Sequence, residues 1–135
     1  MDADPIDVVT ALIDGVTGRR WDELPDLYAQ DAYVVHPMQL PVPEPIVGRE
    51  GIRRHFARAA QLPLRMQARN VLVHRTADPE VVIAEFDYVG RVTTTGRSFD
   101  VRNIFVVRVR DGQIVESRDY ANHAALAAAI SGARG

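Results

Sequence analysis

Residues 99–122 read FDVRNIFVVRVRDGQIVESRDYAN, and their pattern decides the fold. Asp111-Gly112 sits between two apolar-rich runs, the strongest short-range sign of a β-hairpin. A strand period of two sorts the flanking residues onto two faces. One face takes Val101, Asn103, Phe105, Val107 and Val109, then Val115, Ser117 and Asp119. The other takes Arg102, Ile104, Val106, Arg108 and Arg110, then Ile114, Glu116, Arg118 and Tyr120. The first face is apolar except at one end, where Asn103, Ser117 and Asp119 gather. An apolar surface with a few convergent polar groups is what a small-molecule site requires.

Working outward, Val81 to Thr93 reads as a long strand. Glu85 and Asp87 share one of its faces with Ile83 and Val89, while Ala84, Phe86 and Tyr88 share the other. Opposite charges pair favourably across strands, so Glu85 and Asp87 are expected on the Arg102/Arg108 face. That places Phe86 and Tyr88 beside Phe105 and Asp119. Met66 to Arg75 is a further strand, turned at Asp78-Pro79. The first half is mostly helical. Pro5 to Gly18 carries Ile6, Val9, Leu12, Ile13 and Val16 on one face, with Asp4 as its cap. Trp21 to Tyr28 reads as a second short helix and Ala32 to His36 as a short strand. Pro37 to Pro45, with four prolines, is a surface loop. Gly48 to Gln61 is a third helix, with Ile52 and Phe56 inward, stopped by Pro63. His123 to Ile130 closes the chain. Helices followed by strands predict a single α+β domain over residues 1–135 with an antiparallel sheet.

The charged sheet face also carries Ile83, Val89, Ile104, Val106, Ile114 and Tyr120, too much apolar surface to stand bare. A homodimer through this outer face is expected, with Arg of one copy meeting Glu or Asp of the other.

Composition excludes several classes. Hydrophobic residues make up 47% of the 135, which is incompatible with disorder. There is no run of apolar residues long enough for a membrane helix, and the acidic start MDADPIDVV does not read as a signal peptide, so a cytoplasmic location is expected. No cysteine is present, which removes disulfides, thiolate metal sites and thiol nucleophiles. All 16 basic residues are Arg, so Schiff-base chemistry and a P-loop are absent. A net charge of −2 argues against nucleic-acid binding. The histidines lack metal-ligand spacing, and no nucleotide motif exists, so neither metal nor cofactor is expected.

Three segments carry a resemblance: WDELPDLYAQDAYVVHP, GREGIRRHF and RNIFVVRVRDGQIVESRDYAN. Together they resemble the SnoaL-like branch of the nuclear-transport-factor-2 superfamily over nearly the whole chain. The resemblance implies a curved antiparallel sheet wrapped around three N-terminal helices, forming a cone with a cavity open at one end. It implies little about chemistry, because that superfamily holds isomerases, cyclases, hydrolases, dehydratases and binding domains. Ketosteroid isomerases carry their base where His36-Pro37 stands, but their oxyanion tyrosine falls near Leu12 and their second acid near Asn103. Epoxide hydrolases of this superfamily match Asp119, yet their partner residues fall near Phe86 and Tyr88. Polyketide cyclases place an acid at Asn122. Local motifs look most like phenazine-biosynthesis A/B type proteins, which share the Asp-Gly hairpin, a His at His55 and Glu or Asn at Asn122. In that group Glu marks the competent member and a neutral residue a weaker one.

Candidate catalytic residues are therefore Asp119, His36 and His55. Asn103, Tyr88, Phe86, Phe105, Asn122, Trp21, Tyr28 and Met38 are candidates for contact with a small hydrophobic ligand. Each also has a plain reading: Asp119 as an ion-paired carboxylate, His36 as a strand-end residue, His55 as a boundary residue, Asn122 as a helix N-cap, and Trp21 and Tyr28 as core. The expected function is a cofactor-free proton-transfer enzyme, an isomerase, cyclase or dehydratase. The alternative is a non-catalytic binding or accessory homodimer with the same cavity.

Overall fold

The computed structural model describes residues 3–131. Helix α1 (Pro5–Thr17) begins where the sequence places it: Asp4 Oδ1 accepts the Ile6 N–H at 2.9 Å, and Pro5 occupies the first turn. Its stripe of Val8, Val9, Leu12 and Ile13 is buried. The segment read as a second helix is instead a turn followed by one 3-10 turn, Leu24–Leu27. Pro25 explains the difference, because an α-helix through it would lose a hydrogen bond and clash with the carbonyl one turn back. Strand β1 (Tyr28–Val35) follows, then a short β2 (Ile46–Val47) that the proline loop concealed, then α2 (Gly48–Ala59) with Ile52 and Phe56 buried.

Four long strands form the body: β3 (Leu64–Arg75), β4 (Val81–Val92), β5 (Ser98–Arg110) and β6 (Gln113–Ala121). Helix α3 (His123–Ser131) closes the described chain. The six strands form one sheet in the order β2-β1-β6-β5-β4-β3. It is mixed rather than antiparallel throughout, because β1 runs parallel to β6. The chain leaves β1 through β2 and α2, so β3 starts at the far edge and the meander returns to β1 from outside. Among the described residues no helix is long and apolar enough to cross a membrane.

The hairpin turn forms at Asp111 (φ 53°) and Gly112 (φ 75°), the paired positive φ angles that a two-residue turn of this hand needs. Asp87 faces Arg102 across β4 and β5, Tyr88 faces Val101, and Arg102 Nη1 lies 2.7 Å from Asp87 Oδ2. The face assignment of β4 from charge pairing therefore holds. One assignment fails. Arg108 pairs with Glu116 but Val109 with Ile114, so Val115 is an extra residue on β6. This bulge swaps the two neighbours: Ile114 is fully buried on the inner face, and Val115 is only half-buried. A second bulge lies on β3, where Arg69 faces Asp87 and Leu72 faces Glu85. Asn70 adopts φ 57° there and donates to Asp87 Oδ2 at 2.8 Å. Gly90 lies where β3 leaves no room for a side chain, since a Cβ on it would lie 2.0 Å from the Arg65 carbonyl oxygen. Bulges of this kind bend a sheet, and the inner face here carries the main core of α1, α2 and the strands.

The outer-face arginines find partners within their own chain. Arg102 reaches Asp87 and Asp100, Arg108 reaches Asp78 and Glu80, and Arg118 reaches Glu116.

Candidate active site

Four polar or charged residues are buried in the described chain: Asp87, Asn103, Ser117 and Asp119. The last three share the inner face at one end of β5 and β6, and the strand register brings the rest of the site to them. In the parallel β1–β6 pair, Val34 lies beside Ser117 and Val35 beside Arg118. The next residue, His36, thus falls next to Asp119, with Nε2 3.6 Å from Asp119 Oδ2. From α2, His55 stacks on His36 with ring centroids 5.2 Å apart. From the first turn of α3, His123 meets His36 edge-on at 5.7 Å. Ser117 donates a short hydrogen bond to Asp119 Oδ1. Asn103 Nδ2 donates to the backbone carbonyls of Val101 (3.0 Å) and Phe86 (3.4 Å).

These groups border a pocket of about 280 Å³ whose remaining walls are mostly apolar, including Leu12, Val16, Ile52, Leu64 and Leu126. Asp119, His36, His55, Asn103, Tyr88, Phe105, Trp21 and Tyr28 all line it. Three candidates lie elsewhere. Phe86 is 2% exposed behind the wall, packed edge-to-face on Tyr88 and Phe105 at 4.9 Å. It belongs to the right face, but the helical layer covers that part of it. Met38 and Asn122 border a neighbouring, more open groove that shares Asn103, Ala121 and His123 with the pocket. Asn122 Oδ1 accepts the Ala125 N–H at 3.1 Å, so it caps α3. Asn122→Ala is expected to lose about 1 kcal/mol of stability by urea unfolding, and Asn122→Asp almost none. Equal losses from both would refute the cap.

His123 and Arg19 also line the pocket and were not singled out as candidates. His123 is the first residue of α3, so a helix start directly after Asp119 and Asn122 was the available sign. Arg19 had none: its guanidinium bonds the carbonyls of Leu64 (2.8 Å) and Ala60 (3.2 Å) and lies over Trp21. Among the described residues, no group of three or more His, Asp or Glu side chains is arranged to hold a metal ion.

Burial sets the protonation states. Desolvation pushes the Asp119 carboxyl up to about 7, against the opposing pull of the Ser117 hydrogen bond. Desolvation, then the neighbouring His55 and His123, draw His36 down to about 4. Burial likewise lowers His55, with Arg58 adding to it, and His123. Tyr28 and Tyr88 are raised by burial and then by the Asp119 charge, so both stay protonated. The 3.6 Å His36–Asp119 contact alone would favour an ion pair. Creating two charges away from water costs more than their attraction returns here, so the pair is a carboxyl beside a neutral imidazole. The outcome is a carboxyl poised at neutrality, flanked by three neutral imidazoles and two phenols. Such a group takes or gives protons efficiently near neutral pH.

The SnoaL-like domain family matches residues 9–117. The chain belongs to that family. A PhzA/B-like protein of Pseudomonas aeruginosa is 39% identical over 75 residues, covering 56% of this chain and 52% of that protein. The matches span about half or less of the length of the curated relatives. A Bacillus subtilis crystal structure named as a candidate isomerase superposes with TM-score 0.86 at 25% identity, over 95% of this chain and 93% of the other. A candidate polyketide cyclase of Xanthomonas campestris superposes with TM-score 0.76 at 22% identity, over 93% of this SnoaL-like chain and 96% of the other. The family expected from the three sequence segments is thus the family found, and the fold is NTF2-like.

Proposed function

We propose that this SnoaL-like domain is an isomerase- or cyclase-type enzyme that moves protons on a small hydrophobic molecule, with Asp119 as the acid–base group. The observation that carries the reading is a buried carboxyl, raised to about 7, facing an apolar pocket. The reaction follows from the residues. Asp119 as carboxylate removes a proton from carbon next to a substrate carbonyl. The Tyr28 and Tyr88 hydroxyls, held protonated, are the donors available to the enolate oxygen. Asp119 then returns the proton to another carbon, giving isomerisation, or the carbanion attacks a second carbonyl within the molecule, the ring closes as that C=O π bond opens to an alkoxide, and Asp119 returns the proton to the alkoxide oxygen. His36 braces the Asp119 carboxyl, and His55 braces His36 by stacking. The sheet and helices form a cone around this pocket, its polar end built from β1, β5 and β6. Names of related structures as isomerases and cyclases support the same class.

A panel of small cyclic ketones incubated with the protein in deuterated buffer tests the proposal. Proton NMR should show loss of the α-carbon proton signal faster than in buffer for at least one member. No acceleration across the panel would favour the second reading, a binding or accessory protein. Asn122 supports that reading, since it caps a helix at the position where the resemblance to polyketide cyclases implies an acid.

We also propose a homodimer through the outer sheet face, where the paired residues Ile104 and Tyr120 stay 43% and 36% exposed. With the arginines paired internally, apolar contact would carry it. Light scattering should give twice the 15.0 kDa chain mass at micromolar concentration, and a monomer would refute it.

A further inference from the structure

Two buried side-chain nitrogen atoms have no hydrogen-bond partner among the described residues: Trp21 Nε1 and His123 Nε2. Buried polar groups are almost always paired, and an exception calls for an explanation. Both residues line the same pocket. They also stand at the two ends of one ladder of rings. Trp21 stacks on Phe56 at 6.1 Å, and Phe56 meets His55 at 5.4 Å. His55 stacks on His36 at 5.2 Å, and His36 meets His123 at 5.7 Å. Facing the ladder across the pocket are apolar side chains such as Leu12, Leu64 and Leu126, and each end of the ladder offers one unmet hydrogen-bonding atom.

We infer that Trp21 and His123 are the specificity residues of this pocket, and that its ligand carries an oxygen function at each end of an apolar body. The indole N–H only donates, so the ligand end at Trp21 is an acceptor, a carbonyl or ether oxygen. The neutral imidazole of His123 donates or accepts according to its tautomer, so a hydroxyl or a carbonyl serves there. An anionic group is disfavoured at the Trp21 end although Arg19 lies over the ring, because that guanidinium already holds two backbone carbonyls. The inference rests on the reading that the pocket takes a small hydrophobic molecule, and it says which groups recognise it.

Trp21 is the only tryptophan, so the protein has a single indole N–H resonance. The experiment compares 6-hydroxy-1-tetralone, 1-tetralone and tetralin, three ligands of one shape that differ in their oxygens. Binding to the full chain is followed by titration of the nitrogen–proton correlation spectrum. The hydroxyketone is expected to bind about a hundredfold more tightly than tetralin, about tenfold for each of two buried hydrogen bonds no longer left unmade. The indole proton should move downfield with either ketone and stay in place with tetralin. Trp21→Phe should lower hydroxyketone affinity about tenfold and leave tetralin within about twofold. His123→Phe should make the hydroxyketone bind no better than 1-tetralone. Equal binding of all three overturns the two anchors and leaves the pocket intact as a hydrophobic site, and ketone binding that leaves the indole proton unmoved overturns the Trp21 anchor. Failure of all three to bind overturns the ligand-pocket reading itself. The wild-type shift decides the Trp21 anchor even if a variant fails to fold.

Discussion

Asp119→Asn is expected to slow α-deuterium exchange on any ketone turned over by about 10²- to 10⁴-fold, the usual worth of a general acid–base group. Asparagine keeps the shape and can still accept from Ser117, but it cannot carry a proton. The same substitution should stabilise the fold at alkaline pH. The folded-state value of Asp119 lies at about 7, above its unfolded value of 3.8. Its contribution to stability is therefore complete below pH 3.8 and is lost as pH rises through about 7. At pH 8 the wild type bears a buried carboxylate costing on the order of a few kcal/mol, which the variant avoids. His36 works in the opposite direction. Its value falls from 6.5 to about 4, so its contribution is complete above 6.5 and fades as pH drops towards 4. The melting-temperature gap between variant and wild type should thus widen from pH 5 to pH 8. Lost exchange with a widening gap marks a residue held at a stability cost for function. Unchanged exchange would remove Asp119 from the chemistry, and a constant gap would remove its raised titration.

Phe86→Ala is expected to destabilise by about 3–5 kcal/mol, a fall in melting temperature of more than about 10 °C for a domain of this size. Phe86 is 2% exposed and wedged edge-to-face between Tyr88 and Phe105, so truncation opens a cavity behind the pocket wall. Phe86→Leu, which retains most of the volume, should lose far less. A loss under about 1 kcal/mol from the alanine variant would mean that Phe86 faces open space, as a ligand-contacting residue would.

The two residues illustrate the reach of periodicity. Alternation along the strands, joined across them by charge pairing, placed Phe86, Tyr88, Asn103, Phe105 and Asp119 on one face, because the side-chain period of a strand is a local property of its backbone. It could not tell which part of that face the helices cover, and so Phe86 and Phe105 looked alike. Local patterning also misjudged Ile114 and Val115, because the bulge that swaps them depends on how β6 pairs with β5. The Trp21–Tyr28 segment was misread for a different reason: its apolar spacing suits a helix, and the contrary sign, Pro25, was present in the sequence.

The chain's own residues determined the α+β class, the hairpin at Asp111-Gly112 and the polar end of the inner face, which rest on spacing along short segments, and the resemblance of three segments pointed to the family. The three-dimensional packing alone decided the site. His36 reaches Asp119 because β1 pairs in parallel with β6. His55 and His123 join them from two helices that no local pattern relates. The raised Asp119 and lowered His36 have the same origin. Desolvation and mutual repulsion depend on what surrounds a group in space, and residues far apart in the chain supply those surroundings here.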